Sequence, residues 1–294
     1  KNFMFKEICQ LIGFESTDFK IDDNVIKFII NKYTYEAGVR DLKRKLESIL
    51  LNLNVDRLYQ RGIFENNNSE IILNEKIVVD ILEKPKLEIQ KIHKSNLIGV
   101  INGLYATTNG GGGIVPIQIF CNFFNNDSPF SLRLTGCQGD VMKESVQCSL
   151  TCAIDYVSNN AKKYRIKNLK EYLEKNWKSG FHVHAPSGAT PKDGPSAGCA
   201  FTTAFISRIL GKPILNNVAM TGEIDLLGNV TKIGGLEYKI NGGKKAGIKH
   251  FFISIENKKD YEKIKKDDAK LCKGISVKFV KTIDEIIPDA LIFN

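Results

Sequence analysis

Pro191-Lys192-Asp193-Gly194-Pro195-Ser196-Ala197-Gly198 sets one serine between a Gly-Pro turn and the start of an apolar run. Gly194-Pro195 bends the chain, and behind the bend Ala197, Cys199, Ala200, Phe201, Ala204, Phe205 and Ile209 recur at helical spacing. Ser196 is therefore expected at or beside a helix N-terminus, where unpaired backbone N–H groups and the positive end of the dipole face outward. Such donors suit the oxyanion of acyl transfer. Serine is also a favoured N-cap. A base within reach is what separates a nucleophile from a cap.

A second glycine-bearing segment, Gly234-Gly235-Leu236-Glu237-Tyr238-Lys239, offers that base. Lysine accepts a proton only when neutral, and about 0.04% of an ordinary lysine is neutral at pH 7. Lowering its pKa to ~7–8 takes roughly 3–5 kcal/mol of differential stabilisation from burial or a nearby cation. Lys239 is flanked by Leu236, Tyr238 and Ile240, and Gly234-Gly235 allow close backbone approach, whereas Lys232, Lys244 and Lys245 read as solvated lysines.

Several further motifs stand in a fixed order around these two: Leu134-Thr135-Gly136, Gly139-Asp140-Val141-Met142-Lys143-Glu144-Ser145, His182-Val183-His184, Met220-Thr221-Gly222-Glu223, Ile233-Gly234-Gly235 and Ala246-Gly247-Ile248. With the Pro-Lys-Asp-Gly-Pro-Ser-Ala-Gly block they closely resemble the proteolytic domain of the Lon family of ATP-dependent proteases. Nearer the start, Tyr33-Thr34-Tyr35-Glu36-Ala37-Gly38-Val39-Arg40 resembles the Lon segment that supplies the sensor-2 arginine of the ATPase. The resemblance covers almost the whole chain. It implies Ser196 as nucleophile, Lys239 as the base that takes its proton, and Thr221 as a hydroxyl that helps hold the lysine amine. It further implies that His182, His184, Asp193 and Glu223 line or support the site, and that Arg40 senses the γ-phosphate of a nucleotide. An endopeptidase acting on unfolded, damaged or regulatory proteins follows, assembled as a hexameric ring, with ATP and magnesium required by the full-length protein and none by the proteolytic part. Separately from the resemblance, the net charge of +9 can attract nucleic acid, so DNA is held as a further candidate partner.

The chain departs from the family in three places. Asn241-Gly242-Gly243 follow Lys239 where a helix-forming run is usual, and interior glycines cost on the order of 1 kcal/mol each, so a looser or shorter segment is expected. Glu237 stands where lysine is common. Tyr105-Ala106-Thr107-Thr108-Asn109 and Gly110 to Gly113 follow Gly103-Leu104 where a Trp and a Glu are usual, which alters the expected loop contacts.

Rival chemistries are thin. His182-Val183-His184 lacks the Cys or carboxylate partners of a metal site, so no metal is expected. A Ser-His pairing is possible on chemistry alone. Cys148 and Cys152, four apart on one helix face, and Cys199 read as small packed thiols.

The chain has 294 residues, 43% of them hydrophobic, enough for about two domains. Seven irregularly spaced cysteines read as reduced thiols. Neither a transmembrane-length apolar run nor a signal-peptide pattern is present, so no membrane partner is expected. The net charge of +9 comes mostly from scattered lysine, and Lys258 to Lys270 mixes both signs like a solvated helix. That charge motivates the alternative reading, a non-catalytic regulatory or nucleic-acid-binding module on the same fold. The residues around Cys199 and Ala246-Gly247-Ile248 are somewhat similar to the mitochondrial branch, which implies the mitochondrial matrix, with the bacterial cytoplasm as the alternative.

The expected fold class is α+β, a small helical bundle followed by an α/β Lon-type proteolytic domain. Residues 1–83 form the bundle, the lid subdomain of an AAA+ ATPase, with helices at Phe3–Ile12, Asp23–Lys32, Val39–Tyr59 and Val78–Leu82. A cap is expected at Asp22 or Asp23, a turn at Asn66–Ser69 and a strand at Ile71–Leu73. Residues 84–96, opened by Lys84-Pro85-Lys86, read as a linker. From 97 to 294, strands at Ile98–Ile101, Ile114–Phe120 and Ser131–Leu134 alternate with helices at Val141–Ser158 and Lys167–Lys175, and the Asn122–Ser131 loop is the nearest approach to low complexity. No G-x-x-x-x-G-K-[ST] phosphate loop occurs, so the chain is expected to be the C-terminal portion of a longer polypeptide whose ATPase lies mostly elsewhere.

Overall fold

The computed structural model describes residues 3–15, 19–34, 36, 38–65, 71–83, 90–108, 110–122, 131–186 and 192–293. The expected turn at 66–69, the Lys84-Pro85-Lys86 linker start and most of the 122–131 loop lie outside the described residues, as do Tyr35, Ala37, Asn109 and Pro191. Two compact units divide the chain, residues 1–88 with 108–111 and residues 89–107 with 112–294.

The first unit contains α1 (Met4–Ile12), β1 (Phe19–Ile21), α2 (Asp23–Tyr33), α3 (Arg40–Leu58), β2 (Ile71–Leu73) and α4 (Glu75–Leu82). Three of these helices begin at a side-chain contact with their own first turn. Asp22 accepts from the Asn24 N–H at 3.1 Å and starts α2, and Asn74 accepts from Ile77 at 3.0 Å and starts α4. Glu36 reaches forward to the N–H groups of Asp41 and Leu42, 2.8 and 3.1 Å away, so α3 opens at Arg40. Leu42, Leu46, Ile49, Leu50 and Leu53 make one stripe of α3, buried against Ile8, Ile29 and Val78. The bundle also carries a parallel two-stranded sheet, β1 with β2, in the register Lys20↔Ile72. Phe19–Ile21 was not expected as a strand.

The second unit holds β3 (Val100–Ala106), β4 (Gly112–Cys121), β5 (Leu132–Thr135), α5 (Asp140–Asn159), α6 (Leu169–Trp177), β6 (Phe181–His184), α7 (Gly198–Leu210) and β7 (Val218–Thr221). A hairpin of β8 (Glu223–Ile224) and β9 (Val230–Thr231) follows, then α8 (Leu236–Ala246), β10 (His250–Ser254), α9 (Lys258–Asp267), α10 (Ala269–Cys272), β11 (Ser276–Val280) and α11 (Ile287–Ala290). Seven strands form one sheet in the order β11-β10-β7-β3-β4-β6-β5, and only β4 runs against its neighbours.

Alternation along the strands divides the core in two. Ile101, Ile117, Ile119, Val218, Met220 and Phe252 pack with α5 and α7, while Leu104, Ile114, Ala219, Phe251 and Ile253 pack with α8 and α9. The segment from Lys258 to Lys270 is helical as expected, with a break at Asp268, whose carboxylate caps α10 through Lys270 and Leu271. The first strand of this unit starts later than the apolar run predicts. Its middle is Asn102-Gly103, and the Asn102 amide is buried because it donates to the carbonyls of Asn216 and Val218, both at 2.9 Å.

The expectation of a loose or short segment after Lys239 is corrected. α8 runs unbroken through Gly242 and Gly243 to Ala246. A Cβ on Gly242 would lie 2.1 Å from the carbonyl carbon of Gly112, and one on Gly243 would lie 2.7 Å from the Phe251 ring. The glycines give up helix propensity so that α8 can sit directly on β4.

Candidate active site

Ser196 lies in the turn just before α7, half-buried, while Ala197 takes the N-cap position with no side-chain capping bond. The plain-cap reading of Ser196 therefore fails. Among the described residues the Ser196 hydroxyl has no hydrogen-bond partner, and neither do the main-chain N–H groups of Ser196 and Ala197. Its carbonyl is held firmly, accepting from the Gly222 N–H at 2.9 Å and from the Thr221 hydroxyl at 3.0 Å. Cys199 N–H donates to the Gly222 carbonyl at 3.1 Å, so the start of α7 is clasped to the end of β7.

Lys239 is 3% exposed on α8. Its Nζ donates to the Thr221 hydroxyl at 3.0 Å, and no carboxylate pairs with it among the described residues. Burial pushes its pKa down to about 8. The neighbouring Cys199 thiol, itself pushed up to about 12 by burial, pulls the lysine's pKa upward, an effect smaller than that of burial. Thr221 is thus the joint of the arrangement, receiving the amine and donating to the serine's carbonyl. β7 ends at Thr221, with the serine-bearing helix packed on one face of the sheet and the lysine-bearing helix on the other. The carboxyl end of a strand in a mostly parallel sheet is where such folds gather their reactive groups.

The other expected residues divide. Asp193 accepts from the N–H groups of Met142 and Gly194, both at 2.9 Å, which ties the chain ahead of Ser196 to the first turn of α5. Gly139 is required beside it, since a Cβ there would lie 2.4 Å from the carboxyl carbon. Asp193→Ala is expected to cost about 1 kcal/mol, lowering Tm by about 3 °C. Calorimetry checks this, and an unchanged Tm would show the cap to be idle.

His182 and His184 stand on one face of β6 and share the Thr135 hydroxyl, at 2.9 and 2.8 Å. Burial, then Arg133 and His184, push the His182 pKa down. Neither histidine shares a hydrogen bond with Ser196, Thr221 or Lys239. The Glu223 side chain is exposed and has no polar partner among the described residues, so it is not gathered with the pair. Arg40 opens α3 in the first unit; its guanidinium makes no salt bridge or hydrogen bond among the described residues, and its charge helps to lower the pKa of the nearby Glu36 carboxylate. The clasp made by Gly222 and the cap made by Asp193 were not legible beforehand. Both depend on main-chain contacts between distant segments.

Among the described residues no three His, Cys, Asp or Glu side chains are grouped to hold a metal ion, and no helix is long and apolar enough to cross a membrane. Residues 72–293 match the family model of the Lon protease (S16) C-terminal proteolytic domain, and residues 11–56 match that of the Lon protease AAA+ ATPase lid domain. A Lon protease homolog of Acanthamoeba polyphaga mimivirus is 46% identical over 98% of this chain and 33% of its own length. The Lon protease of Buchnera aphidicola is 37% identical over 98% of this chain and 34% of its own length, and that of Lachnoclostridium phytofermentans 34% identical over 99% and 38%. The chain thus spans about a third of the length of these relatives. A serine on a helix start, a lysine buried beside the same strand end and two family models in sequence lead to one conclusion: this chain belongs to the Lon protease family.

Proposed function

We propose that the chain is the proteolytic portion of an ATP-dependent serine endopeptidase, with Ser196 as nucleophile and Lys239 as base. The observation that carries this reading is the buried, uncompensated Lys239 amine tied through Thr221 to the serine's own carbonyl. A neutral Nζ takes the Ser196 proton as Oγ attacks the scissile carbonyl carbon. The free N–H groups of Ser196 and Ala197, together with the α7 N-terminus, are donors for the oxyanion. The ammonium returns its proton to the leaving amine, and the acyl ester is then hydrolysed by a water that Lys239 deprotonates in turn.

Residues 1–83 serve as lid, 84–96 as linker and 97–294 as protease. ATP with magnesium, bound to the complete ATPase, supplies the energy for unfolding substrates, and Arg40 is the residue here that would meet its γ-phosphate. The hexameric ring, the unfolded protein substrates and contact with DNA belong to the same proposal. The mitochondrial-matrix reading rests on the residues around Cys199 and Ala246-Gly247-Ile248, whereas the three relatives named above are one viral and two bacterial proteins. A non-catalytic module is not favoured, because an unpaired buried lysine is costly to keep without a use.

The test is covalent labelling. A peptide boronate or fluorophosphonate should modify Ser196 stoichiometrically, and Ser196→Ala should abolish the adduct in intact-mass measurement. Equal labelling of both proteins would remove the assignment.

A further inference from the structure

Away from Ser196 and Lys239, the second unit has a cavity of about 640 Å³ formed where the connection from α5 to α6, α6 itself and the end of α7 meet the C-terminal segment at Phe293. Five cations line it: Lys163, Arg165, Lys167, Lys175 and Lys212. The lining has one carboxylate, Glu171, and none of these six groups forms a salt bridge among the described residues. What sets the hollow apart is that five cations with a single carboxylate line one opening. Gathering five cations around one hollow raises their mutual repulsion, and an anion entering it relieves that repulsion.

The floor of the hollow is aromatic. Phe293 stacks on Tyr164 with ring centroids 5.7 Å apart and planes 17° from parallel, and it keeps 39% of its surface exposed. Lys163 lies over the Tyr164 ring at 5.5 Å. Tyr164 is fixed from behind by the Tyr156 hydroxyl at 2.9 Å, and Tyr172 by the Ile209 carbonyl at 2.7 Å, so the rings are rigid platforms. Arg165 projects from a left-handed turn, φ 58°, and Asn168 caps α6 beside it, adding the positive end of a nine-residue helix to the same opening.

We infer that this hollow binds a nucleoside polyphosphate, with the phosphates against the lysines and Arg165 and the base laid on Phe293. Charge density selects phosphate over an acidic peptide. A polyphosphate tail concentrates three or four negative charges within a few ångströms, while an extended acidic segment places one every ~3.3 Å of backbone. The volume agrees with one small ligand rather than a strand, since sites for such molecules span roughly 300–1,000 Å³. The ring platform adds stacking, which a bare phosphate chain cannot use.

Fluorescence polarisation of a ribose-labelled ATP titrated with this chain tests the site, with unlabelled ATP, inorganic tripolyphosphate and a short single-stranded oligonucleotide as competitors. ATP is expected to displace the probe at least tenfold more effectively than tripolyphosphate. Lys167→Glu combined with Lys212→Glu should weaken binding more than tenfold, and Lys175→Glu alone severalfold. The same charge reversals at Lys258 and Lys266 on α9, outside the hollow, should leave it unchanged. Loss of saturable binding in the unaltered chain overturns the inference, and so does binding indifferent to the Lys167/Lys212 change, which would place the nucleotide elsewhere, at Arg40 for instance. Tripolyphosphate competing as well as ATP overturns the base-stacking part, and an oligonucleotide outcompeting ATP would make the hollow a nucleic-acid groove.

Discussion

Replacing Lys239 with methionine is expected to lower turnover of an unstructured peptide by about 10³-fold while making the fold more stable at pH 7. The loss of rate follows from removing the base, whose usual contribution is 10²- to 10⁴-fold. The gain in stability follows from burial. The amine has a pKa of about 8 in the folded chain against 10.5 when exposed, so between those values the unfolded chain binds more protons than the folded one. Stability of the unaltered protein therefore climbs as pH rises from about 8 to 10.5, and the penalty for the buried charge is present in full below that window. Its size is on the order of 3 kcal/mol. Methionine fills much the same volume without the charge, and the Thr221 hydroxyl keeps its bond to the Ser196 carbonyl. Urea melts of both proteins at pH 7 and pH 10.5 read the difference, which should shrink at the higher pH. The rate carries the same signature, since roughly one-tenth of Lys239 is neutral at pH 7 and nine-tenths at pH 9. A variant that still cleaves, or melts whose difference ignores pH, would remove Lys239 from its assigned role.

The second large effect is structural. Gly242→Ala places a methyl group where the main chain of Gly112 and Gly113 already lies, 2.1 to 2.2 Å away. Backbone cannot rotate aside as a side chain does, so α8 must lift from β4 and Lys239 with it. Destabilisation on the order of 3 kcal/mol is expected, seen as a fall of about 10 °C in Tm, together with loss of peptide hydrolysis. Gly234→Ala is the matched control, because its added carbon meets open space and should cost less than about 0.5 kcal/mol. Equal melting of the two variants would show that close helix–strand contact is not what these glycines serve.

Those same glycines mark where sequence reading stops. Propensity alone argues against a helix through Asn241-Gly242-Gly243, and the helix exists because a distant strand needs its backbone near. The amphipathic stripe of α3, the cap at Asp22 and the start of α7 were legible because each depends on neighbours within a turn or two. β1 was not, since three residues among turn signals give no period, and its partner β2 lies far along the chain. In the site, the burial of Lys239 could be anticipated from its apolar flanks. That Thr221 joins lysine to serine came from the family resemblance in outline, and the Gly222 clasp came from neither source. The two histidines alternate along β6 and so share a face, yet their common partner Thr135 belongs to the next strand and is invisible to alternation.

The placement of the serine and the lysine on opposite layers has a consequence for the birth of the molecule. Ser196 arrives with the helices on one side of the sheet, and Lys239 is synthesised later and docks on the other. If Lys239 is the base proposed above, a chain with only its first layer in place would hold Ser196 beside no base, Lys239 being still a solvated, charged lysine. On the proposed assignment, the pair is complete only when the second layer is packed against β7. On the reading proposed above, the chain would hold no working serine–lysine pair until both layers of its own sheet are packed.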